Sequence, residues 1–346
     1  MSILVLNAGS SSVKSALFGP DLTARDSLTL TEIADHRTAI ATILDHYAGH
    51  TPTSAAHRVV HGGESLTAPI RITPEVRDRI AALVPLAPLH NPAALAGIDA
   101  VTALAPDLPQ VACFDTGFHA GQPIVATTYA IPATPGLRRF GFHGISYADL
   151  ATRVTPLPAR LLALHLGNGA SLCAIKGGHS VATTMGYSPL DGLTMGTRSG
   201  SIDPAAVLAL ARIHGIDGAE ALLNRDSGLK ALGGISDMRR LSEAGTRQAR
   251  FAMGHFSYWA VRHAGSMIAA MGGIDALAFT GGIGENDPNI RAAIMEGLAF
   301  TGLDMDAAAN ARGEARLHTE RSSVSAWIVP AQEERAIARA ALRVLA

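Results

Sequence analysis

Apolar and polar positions alternate along the chain with two periods, one typical of strands and one typical of helices. Ile3–Leu6 and Val13–Phe18 are mainly apolar runs joined by a short turn, a pattern that predicts the two strands of a hairpin. Leu161–Leu166 and Ser171–Ile175 repeat the arrangement around a glycine turn in the second half of the chain. The alternation of strands with helices predicts an α/β fold, and the repeated hairpin indicates two related halves.

Capping residues mark where several helices are expected to begin. Three dipeptides combine a capping residue with a proline, which suits the first helical turn: Thr73-Pro74, Asn91-Pro92 and Asp203-Pro204. Ser146 and Asp149 have the spacing of a capping box. A long helical pattern runs from about Ser242 to Met271 and ends at a glycine pair.

Composition limits the classes of protein to consider. A length of 346 residues exceeds the size at which one core usually keeps growing, so we expect two domains. The formal net charge of −1 gives no reason to expect nucleic acid or a membrane surface as a partner. Cys113 and Cys173 lie in apolar runs and are expected to be buried, not metal ligands or disulfide partners. With neither a signal peptide nor a long charge-free apolar stretch, the sequence predicts a cytoplasmic protein.

The turn of the first hairpin has the composition of a phosphate-binding loop. Gly9, Ser10 and Ser12 allow close approach of an anion and present N–H groups and hydroxyls to it. Lys14 follows the turn and supplies a positive charge for a terminal phosphate. The Gly-Lys-Ser/Thr triplet of a P-loop is missing, so the pattern is instead typical of the actin, hexokinase and Hsp70-like ATPases. An ordinary glycine–serine turn is the alternative.

Three other loops carry side chains suited to phosphoryl transfer, a reaction that needs positioned groups and positive charge more than covalent chemistry. Asp115 follows the apolar strand Val111–Phe114, at the end of a strand where open α/β sheets bind ligands. His143 lies between two glycines, and Arg198 lies in the glycine-rich stretch Gly186–Gly200. Glycine lets the backbone come close to a ligand at both places.

In their order along the chain, these segments resemble the acetate and propionate kinase family, and the resemblance covers nearly the whole sequence. The segments that carry it are Asn7–Lys14, His57–Glu64, Pro88–Pro92, Phe114–His119, Gly141–Gly144, His165–Ser171, Met195–Gly200, Asp237–Arg239 and Gly281–Asn286. The resemblance implies two duplicated ribonuclease-H-like domains, of the actin, hexokinase and Hsp70 type, around a nucleotide cleft. It assigns residues 1–116 with 331–346 to the first domain and residues 117–330 to the second.

The resemblance also implies a reaction. A homodimer would transfer the γ-phosphoryl group of ATP directly and in line to acetate or another short-chain carboxylate, giving ADP and an acyl phosphate. The implied metal is magnesium, with manganese as an alternative. Asn7 and Glu333 match the metal-associated positions of the family, and Glu334 is the alternative to Glu333.

The resemblance gives roles to further residues. Arg58 matches the carboxylate-binding arginine, Asp115 the essential acid, and His143 with Arg198 the pair that stabilises the transferring phosphoryl group. Acetate is ionised at neutral pH, so Asp115 need not act as a base; attack by Asp115 itself, giving a phosphoenzyme, is the alternative mechanism. His90 is a weaker candidate for a phosphate contact. The matching substrate-pocket residues are Val60, Leu89, His90, Phe142 and Pro189.

The residues that the resemblance assigns to ATP or ADP lie in four segments of the chain. They are Ser10, Ser12, Lys14, His165, Leu166, Gly167, Asn168, Gly169, Asp237, Met238, Arg239, Gly282, Ile283, Gly284, Glu285 and Asn286.

The chain departs from the family pattern in three ways. It is shorter than usual members, so we expect some surface elements to be trimmed. Ala182 stands where the family usually has an acidic residue, just before Thr183–Met185. Gln332 stands where an asparagine usually precedes the glutamate pair, a change that bears on the metal site.

Two other classes of function stay open. One is another enzyme with this fold, such as butyrate kinase, a sugar kinase or a polyphosphate phosphatase, and the other is a chaperone-like ATPase. Arg58 argues against the ATPase, which needs no carboxylate-binding arginine, and the apolar pocket argues against a sugar. Acetate and propionate differ by one methylene group, worth only ~1–3 kcal/mol, so the preference between them stays open.

Overall fold

The structure is a computed structural model, and it describes residues 2–9 and 12–346. The strands, in chain order, are β1 (Ile3–Ala8), β2 (Ser12–Phe18), β3 (Ala24–Thr31), β4 (Ser54–Val59), β5 (Ile70–Arg71), β6 (Gln110–Phe114), β7 (Arg160–Leu166), β8 (Ala170–Lys176), β9 (His179–Thr183), β10 (Ala276–Thr280) and β11 (Ser325–Ile328).

The helices fill the intervals between these strands. They are α1 (His36–His46), α2 (Pro74–Ala82), α3 (Asn91–Leu104), α4 (Ile124–Thr127), α5 (Gly144–Arg153), α6 (Pro204–Arg225), α7 (Gly228–Gly233), α8 (Met238–Ala244), α9 (Arg247–Met271), α10 (Gly281–Asn286), α11 (Pro288–Gly297), α12 (Ala307–Arg312) and α13 (Glu333–Leu345). Within the described part of the chain, none of them is long and apolar enough to cross a membrane.

The first sheet has the strand order β3-β2-β1-β4-β6-β5. β1, β2 and β3 are antiparallel neighbours, whereas β4 runs parallel to β1 and β6 parallel to β4. Ile3–Leu6 is buried throughout, as expected for an apolar run in the centre of a sheet covered on both faces. Because β1, β4 and β6 are parallel, their carboxyl ends lie at one edge of the sheet.

Helices cover both faces of this first sheet. Leu4 packs on one side with Ile40 of α1 and Val101 of α3, whereas Val5 packs on the other side with Ile337 of α13. Successive strand residues point to opposite faces, which is why neighbours in β1 belong to different cores. The carboxyl-terminal helix α13 therefore covers one face of a sheet that is formed by the start of the chain.

The second sheet repeats this plan. Its order is β11-β10-β7-β8-β9, with β7, β8 and β9 antiparallel, β10 parallel to β7 and β11 parallel to β10. In both sheets a hairpin and a third antiparallel strand are followed by two parallel strands beside the first. The predicted α/β class is confirmed, and the duplication indicated by the two hairpins agrees with this shared topology.

The chain separates into two compact units. The first contains the chain up to Ala120, Phe142–Asp149 and Gln332–Ala346, and the second contains Gly121–Gly141 and Leu150–Ala331. The start of α5 thus belongs with the first unit. The predicted domains, residues 1–116 with 331–346 and residues 117–330, stay a prediction.

The predicted cap at Asn91 is wrong. Asn91 is the first residue of α3, and His90, in the capping position, makes no side-chain capping bond. The buried Asn91 amide instead bridges the backbone of His61: its Oδ1 accepts from the His61 N–H at 3.1 Å, and its Nδ2 donates to the His61 carbonyl at 3.1 Å. The Asn91 side chain therefore makes a tertiary contact instead of capping α3.

The predicted capping box is also wrong. α5 begins at Gly144, two residues before Ser146, so Ser146 lies inside the helix. Asp149 accepts a hydrogen bond at 2.9 Å from Nη1 of Arg339 on α13, and its side chain is buried. The pair ties α5 to α13 inside the first unit.

The predicted long helix is divided in two. α8 ends at Gly245, which takes the left-handed conformation (φ 58°) that glycine adopts without strain. Thr246 then caps α9 by accepting from the Ala249 N–H at 3.0 Å. The predicted end of the helix at Met271 and Gly272 is confirmed.

Candidate functional site

Arg58 and Asp115 form a bidentate ion pair at the carboxyl edge of the first sheet. Arg58 lies on β4 and Asp115 follows β6, and the parallel pairing of these strands brings the two residues together. Nε and Nη2 of Arg58 donate to Asp115 Oδ2 at 3.0 and 2.7 Å. Asp115 is only 1% exposed, so solvent screens the pair little. The structure therefore brings together Arg58 and Asp115, which were separate candidate site residues in the sequence.

Glu333 is near the remaining nitrogen of the same guanidinium. It is the first residue of α13, and its Oε2 lies 3.8 Å from Arg58 Nη1. Burial lowers the pKa of Arg58, but the carboxylates of Asp115 and Glu333 outweigh it, and the net shift is upward. Gln332 is not part of this contact, because its Oε1 accepts from Arg335 at 3.1 Å. Arg58 is thus a permanent positive charge between two acids.

His143 is held beside Asp115 in an uncommon backbone conformation. Its φ is 58°, in the left-handed region that residues other than glycine seldom adopt. The next residue, Gly144, donates its N–H to the Asp115 carbonyl at 2.8 Å, and a Cβ there would lie 2.3 Å from that oxygen. Only glycine fits this approach of α5 to the end of β6. Such strain is typical of functional positions.

Four of the five predicted substrate-pocket residues belong to the first unit. Val60 follows β4 and is half-buried, and Phe142 is fully buried, its ring centroid 5.6 Å from that of His61. Leu89 is 36% exposed and His90 half-buried, just before α3. The loops after β4 and before α3 and α5 supply these side chains.

Three buried histidines lie on or after the strands that form this edge. His57 bonds Gln110 Oε1 through Nε2 at 2.7 Å, and His119 bonds the Phe142 carbonyl through Nε2 at 2.9 Å. Burial lowers the pKa of His57, His61 and His119 to about 4. They are therefore neutral at neutral pH. None of the three has a role predicted from the sequence, and His57 inside an apolar strand was the one local sign of a buried histidine.

These histidines predict a loss of stability in mild acid. In the unfolded chain each binds a proton near pH 6.5, whereas in the folded protein each stays neutral down to about pH 4. The unfolded state therefore binds more protons in this window. Each contribution is complete above pH 6.5 and is lost as the pH falls toward 4, on the order of 3 kcal/mol per histidine at most. Urea unfolding at a series of pH values measures the effect.

His57→Gln is the matched control for this prediction. Glutamine retains a polar group near Gln110 but does not titrate, so the free energy of unfolding should fall less steeply from pH 6.5 to pH 4 than in the wild type. An unchanged slope would contradict the assignment of this proton to His57.

The first hairpin places Asn7 and Lys14 opposite each other on β1 and β2. Asn7 is half-buried at the carboxyl end of β1, whereas Lys14 is exposed and forms no ion pair with any described residue. The Ser12 carbonyl accepts the Gly9 N–H at 2.7 Å, which closes the turn. Ser10 lies outside the described residues.

A cavity of about 590 Å³ opens at the carboxyl ends of β7 and β10 in the second unit. The turn after β7, the start of α8 and the residues of α10 form its walls, and its volume is typical of a small-ligand site. Predicted nucleotide residues that line it are Gly167, Asn168, Asp237, Met238, Arg239, Gly282, Ile283 and Asn286.

Several residues of this cavity have no role predicted from the sequence. They lie just before α8, one turn further along it, or just after α10, next to the motifs, so adjacency to a motif was the available sign. They are Ser236, Ser242, Glu243, Asp287, Pro288 and Asn289.

Other predicted nucleotide residues do not line this cavity. His165, Leu166 and Gly169 belong to the β7–β8 hairpin, and Leu166 is buried. Gly284 is buried, and the side chain of Glu285 is used inside the protein: its Oε1 accepts the N–H groups of Gly281 at 2.9 Å and Ala331 at 2.8 Å. The loop predicted here is the short helix α10.

Arg198 lies beside the turn after β7 in the second unit. Gly196 donates its N–H to the Asn168 carbonyl at 3.0 Å, and a Cβ at Gly196 would lie 1.9 Å from Asn168 Oδ1. Nη1 of Arg198 donates to the Pro189 carbonyl at 2.8 Å. Burial lowers the pKa of Arg198, and no described carboxylate forms an ion pair with it. This partly buried charge is therefore available to an anionic ligand.

Known proteins match the chain along nearly its whole length. The model of the Acetokinase family matches residues 21–339. The chain belongs to the acetokinase family. The chain is 40% identical to one relative, the acetate kinase of Methylocella silvestris, in an alignment that covers 99% of this chain and 98% of the relative.

Solved structures agree with this placement in the acetokinase family. The crystal structure of an acetate kinase from Porphyromonas gingivalis has a TM-score of 0.91 at 33% identity, with both chains covered completely. A propionate kinase from Francisella tularensis has a TM-score of 0.92 at 34% identity and 98% coverage of each chain. The predicted family and the predicted fold of duplicated ribonuclease-H-like domains are confirmed.

The chain is shorter than the Methylocella silvestris relative. Its alignment with the Methylocella silvestris relative extends over 394 positions, whereas the chain has 346 residues, a difference of 48. That relative therefore has residues without counterparts here, which agrees with the expected shorter length; that the missing residues belong to surface elements stays a prediction.

Proposed function

We propose that the protein is an acetate kinase, which transfers the γ-phosphoryl group of ATP to acetate and gives ADP and acetyl phosphate in a reversible reaction. The observation that carries this proposal is the near full-length match, at 40% identity, to a relative named acetate kinase. The arginine–acid pair of the first unit and the cavity of the second support it. Propionate is the alternative acid, since a propionate kinase is among the similar structures.

Arg58 binds the carboxylate of the acid in this proposal. Asp115 accepts hydrogen bonds from Nε and from one hydrogen of Nη2, and so fixes the orientation of the guanidinium. Nη1 and the other Nη2 hydrogen remain for a ligand. A planar fork suits a carboxylate better than an ammonium group does. Val60, Leu89, Phe142 and Pro189 contact the alkyl end, and His90 is a weaker candidate for a phosphate contact.

His143 and Arg198 stabilise the transferring phosphoryl group. Arg198 supplies a charge that no described carboxylate neutralises, and His143 supplies a ring held in a fixed place by the strained backbone before α5. Positive charge around three equatorial oxygens is the main requirement of this transfer. Transfer is direct and in line, so isotope labelling should show inversion at phosphorus. Retention would support a phosphoenzyme on Asp115.

ATP or ADP occupies the cavity of the second unit. Gly167 and Asn168 line the cavity and bind the phosphates, and His165, Leu166 and Gly169 belong to the hairpin that carries them. The family resemblance assigns Lys14, Ser10 and Ser12 to the terminal phosphate. Ribose and base lie against two further segments. These are Asp237, Met238 and Arg239, and Gly282, Ile283 and Asn286, whereas Gly284 and Glu285 of the same segment do not line the cavity.

Magnesium, or manganese in its place, would be held by Asn7 and Glu333. Asn7 lies at the carboxyl end of β1, and Glu333 starts the helix that packs on β1, so both offer oxygen atoms at the same edge of the sheet. This hard-oxygen donor set fits magnesium, which keeps most of its waters and needs few protein ligands. The ion would neutralise phosphate charge when bound.

A hydroxamate trap for acyl phosphate tests the proposed function. The purified protein, ATP and magnesium are incubated with formate, acetate, propionate and butyrate in separate reactions. We expect the highest kcat/KM with acetate. Activity highest with propionate would establish the alternative acid, and the absence of any acyl phosphate from all four acids would overturn the proposal.

We also propose a cytoplasmic homodimer in which residues 1–116 with 331–346 and residues 117–330 act as the two domains. The expected mass in light scattering is twice that of the 35.8 kDa chain. A monomer at micromolar concentration would contradict the dimer.

A further inference from the structure

Arg291 on α11 is a buried cation that the proposed reaction does not use. Its side chain is 1% exposed and shares the buried side of the helix with Ile290, Ile294 and Met295. Removing a guanidinium from water is costly unless hydrogen bonds replace those to water. The partners of Arg291 therefore indicate what its burial achieves.

Arg291 donates four hydrogen bonds, all to neutral oxygen atoms. Nη1 donates to the carbonyls of Gly284 at 3.0 Å and Glu285 at 2.9 Å. Nε donates to Asn310 Oδ1 at 2.8 Å, and Nη2 donates to the Asn310 carbonyl at 2.9 Å. Asn310 is fixed in turn, because its Nδ2 donates to the Pro288 carbonyl at 2.8 Å.

The two carbonyls belong to the last turn of α10. The last four carbonyls of a helix have no partner within it, so in a buried place they need donors from elsewhere. The Arg291 fork reaches two successive carbonyls from one rigid group, which the ammonium of lysine would not do equally well. The other end of α10 is fixed independently, since Glu285 Oε1 accepts the Gly281 N–H at 2.9 Å.

α10 is also one wall of the 590 Å³ cavity. Gly282, Ile283 and Asn286 line the cavity, whereas Gly284 and Glu285 do not and present their carbonyls to Arg291. The helix thus has a ligand side and an anchored side. A wall already fixed in place spares the ligand the cost of ordering it.

We propose that Arg291 is a positioning residue for the nucleotide: it holds α10 from inside the protein so that the backbone of Gly282 and Ile283 forms a preorganised surface for the base. This inference rests on the proposed binding of a nucleotide in this cavity. Arg291 touches no substrate and acts through α10, with Asn310 as its second anchor.

The experiment compares Arg291→Lys and Asn310→Ala with Ile294→Ala, a control on the same helix that removes buried apolar volume without removing a hydrogen bond to α10. The dissociation constant of ADP is measured by calorimetry, kcat and the KM values of ATP and acetate by the hydroxamate assay, and the melting temperature by calorimetric scanning. We expect Arg291→Lys to raise the ADP Kd and the ATP KM about tenfold and Asn310→Ala a smaller amount. The KM of acetate should change less than twofold in both.

The control separates positioning from general destabilisation. Ile294→Ala should lower the melting temperature at least as much as Arg291→Lys and leave the ADP Kd within twofold of the wild type. The double variant Arg291→Lys/Asn310→Ala should lose little more affinity than Arg291→Lys alone, because both act on one anchor. An unchanged ADP Kd in Arg291→Lys, or equal changes in Kd for Arg291→Lys and Ile294→Ala, would overturn the inference. Failure of the wild type to bind ADP would instead overturn the proposed function.

Discussion

Replacing Arg58 with alanine should lower kcat/KM for acetate by about 10³-fold. Two losses combine: the acid loses its charged partner, and Asp115, only 1% exposed, is left as a buried carboxylate without its bidentate partner. Breaking a buried pair from one side costs roughly 3–5 kcal/mol. From the sequence alone the expected effect is chiefly on KM, whereas the pairing with Asp115 adds an effect on kcat. Initial rates with varied acetate at saturating ATP measure both.

Arg77→Ala is the matched control for Arg58→Ala. Arg77 also donates two hydrogen bonds to one carboxylate, Asp99, at 2.9 and 2.7 Å in the first unit, but these side chains are 38% and 47% exposed and Asp99 is not buried as Asp115 is. An exposed pair contributes little, so kcat/KM should stay within twofold of the wild type. In the variant Arg58→Ala/Asp115→Asn the loss should be smaller than the product of the single losses. If Arg58→Ala behaved like Arg77→Ala, the carboxylate-binding role would be wrong.

Local patterns were sufficient to predict the α/β class and to indicate two related halves, because the repeated hairpin is formed by segments close together in the chain. Each hairpin is formed by neighbouring segments, so Ile3–Leu6 with its returning strand and Leu161–Leu166 with its returning strand could be recognised from apolar runs and turns. The order of the strands in each sheet, in contrast, could not be predicted from local patterns. The register that puts Arg58 beside Cys113, and so next to Asp115, depends on strands far apart in the chain, and no local pattern encodes it.

Misplaced caps show how tertiary contacts override local signals. Asn91 and Asp149 have the residue types of caps, yet Asn91 binds the backbone of His61 and Asp149 binds Arg339 of the last helix. Both partners are remote in sequence. A capping residue on a buried face therefore has a competing use that the sequence does not reveal.

The candidate site was predictable where a residue lies in a motif, and was missed where it supports one. Asn168 and Gly282 were found in this way, whereas Arg291, which anchors the helix of Gly282, has no motif of its own. One sign was present: the helical period places this arginine on the same face as Ile290 and Ile294. A charged residue on an apolar face indicates buried partners, although it does not say which.

Replacing Arg198 with alanine should lower kcat by about 10³-fold while the KM values of acetate and ATP change less than about threefold. Arg198 forms no ion pair with a described carboxylate, so its removal leaves no buried anion behind, unlike the removal of Arg58. In the proposed mechanism the variant loses charge stabilisation that develops only during the transfer, and such a loss lowers kcat. The melting temperature should stay close to that of the wild type, since among the described residues the Arg198 side chain forms one hydrogen bond, to the Pro189 carbonyl.

Chemical rescue distinguishes the two arginines further. Guanidinium ion added to Arg198→Ala should restore part of kcat, because the Arg198 side chain is only partly buried and the vacated place needs only a cation of the right shape. Ser199→Ala, in the same loop, should keep kcat within twofold and so show that the loop tolerates change beside Arg198. Large increases in both KM values with little change in kcat would assign Arg198 to ground-state binding and contradict its proposed role in stabilising the transferring group.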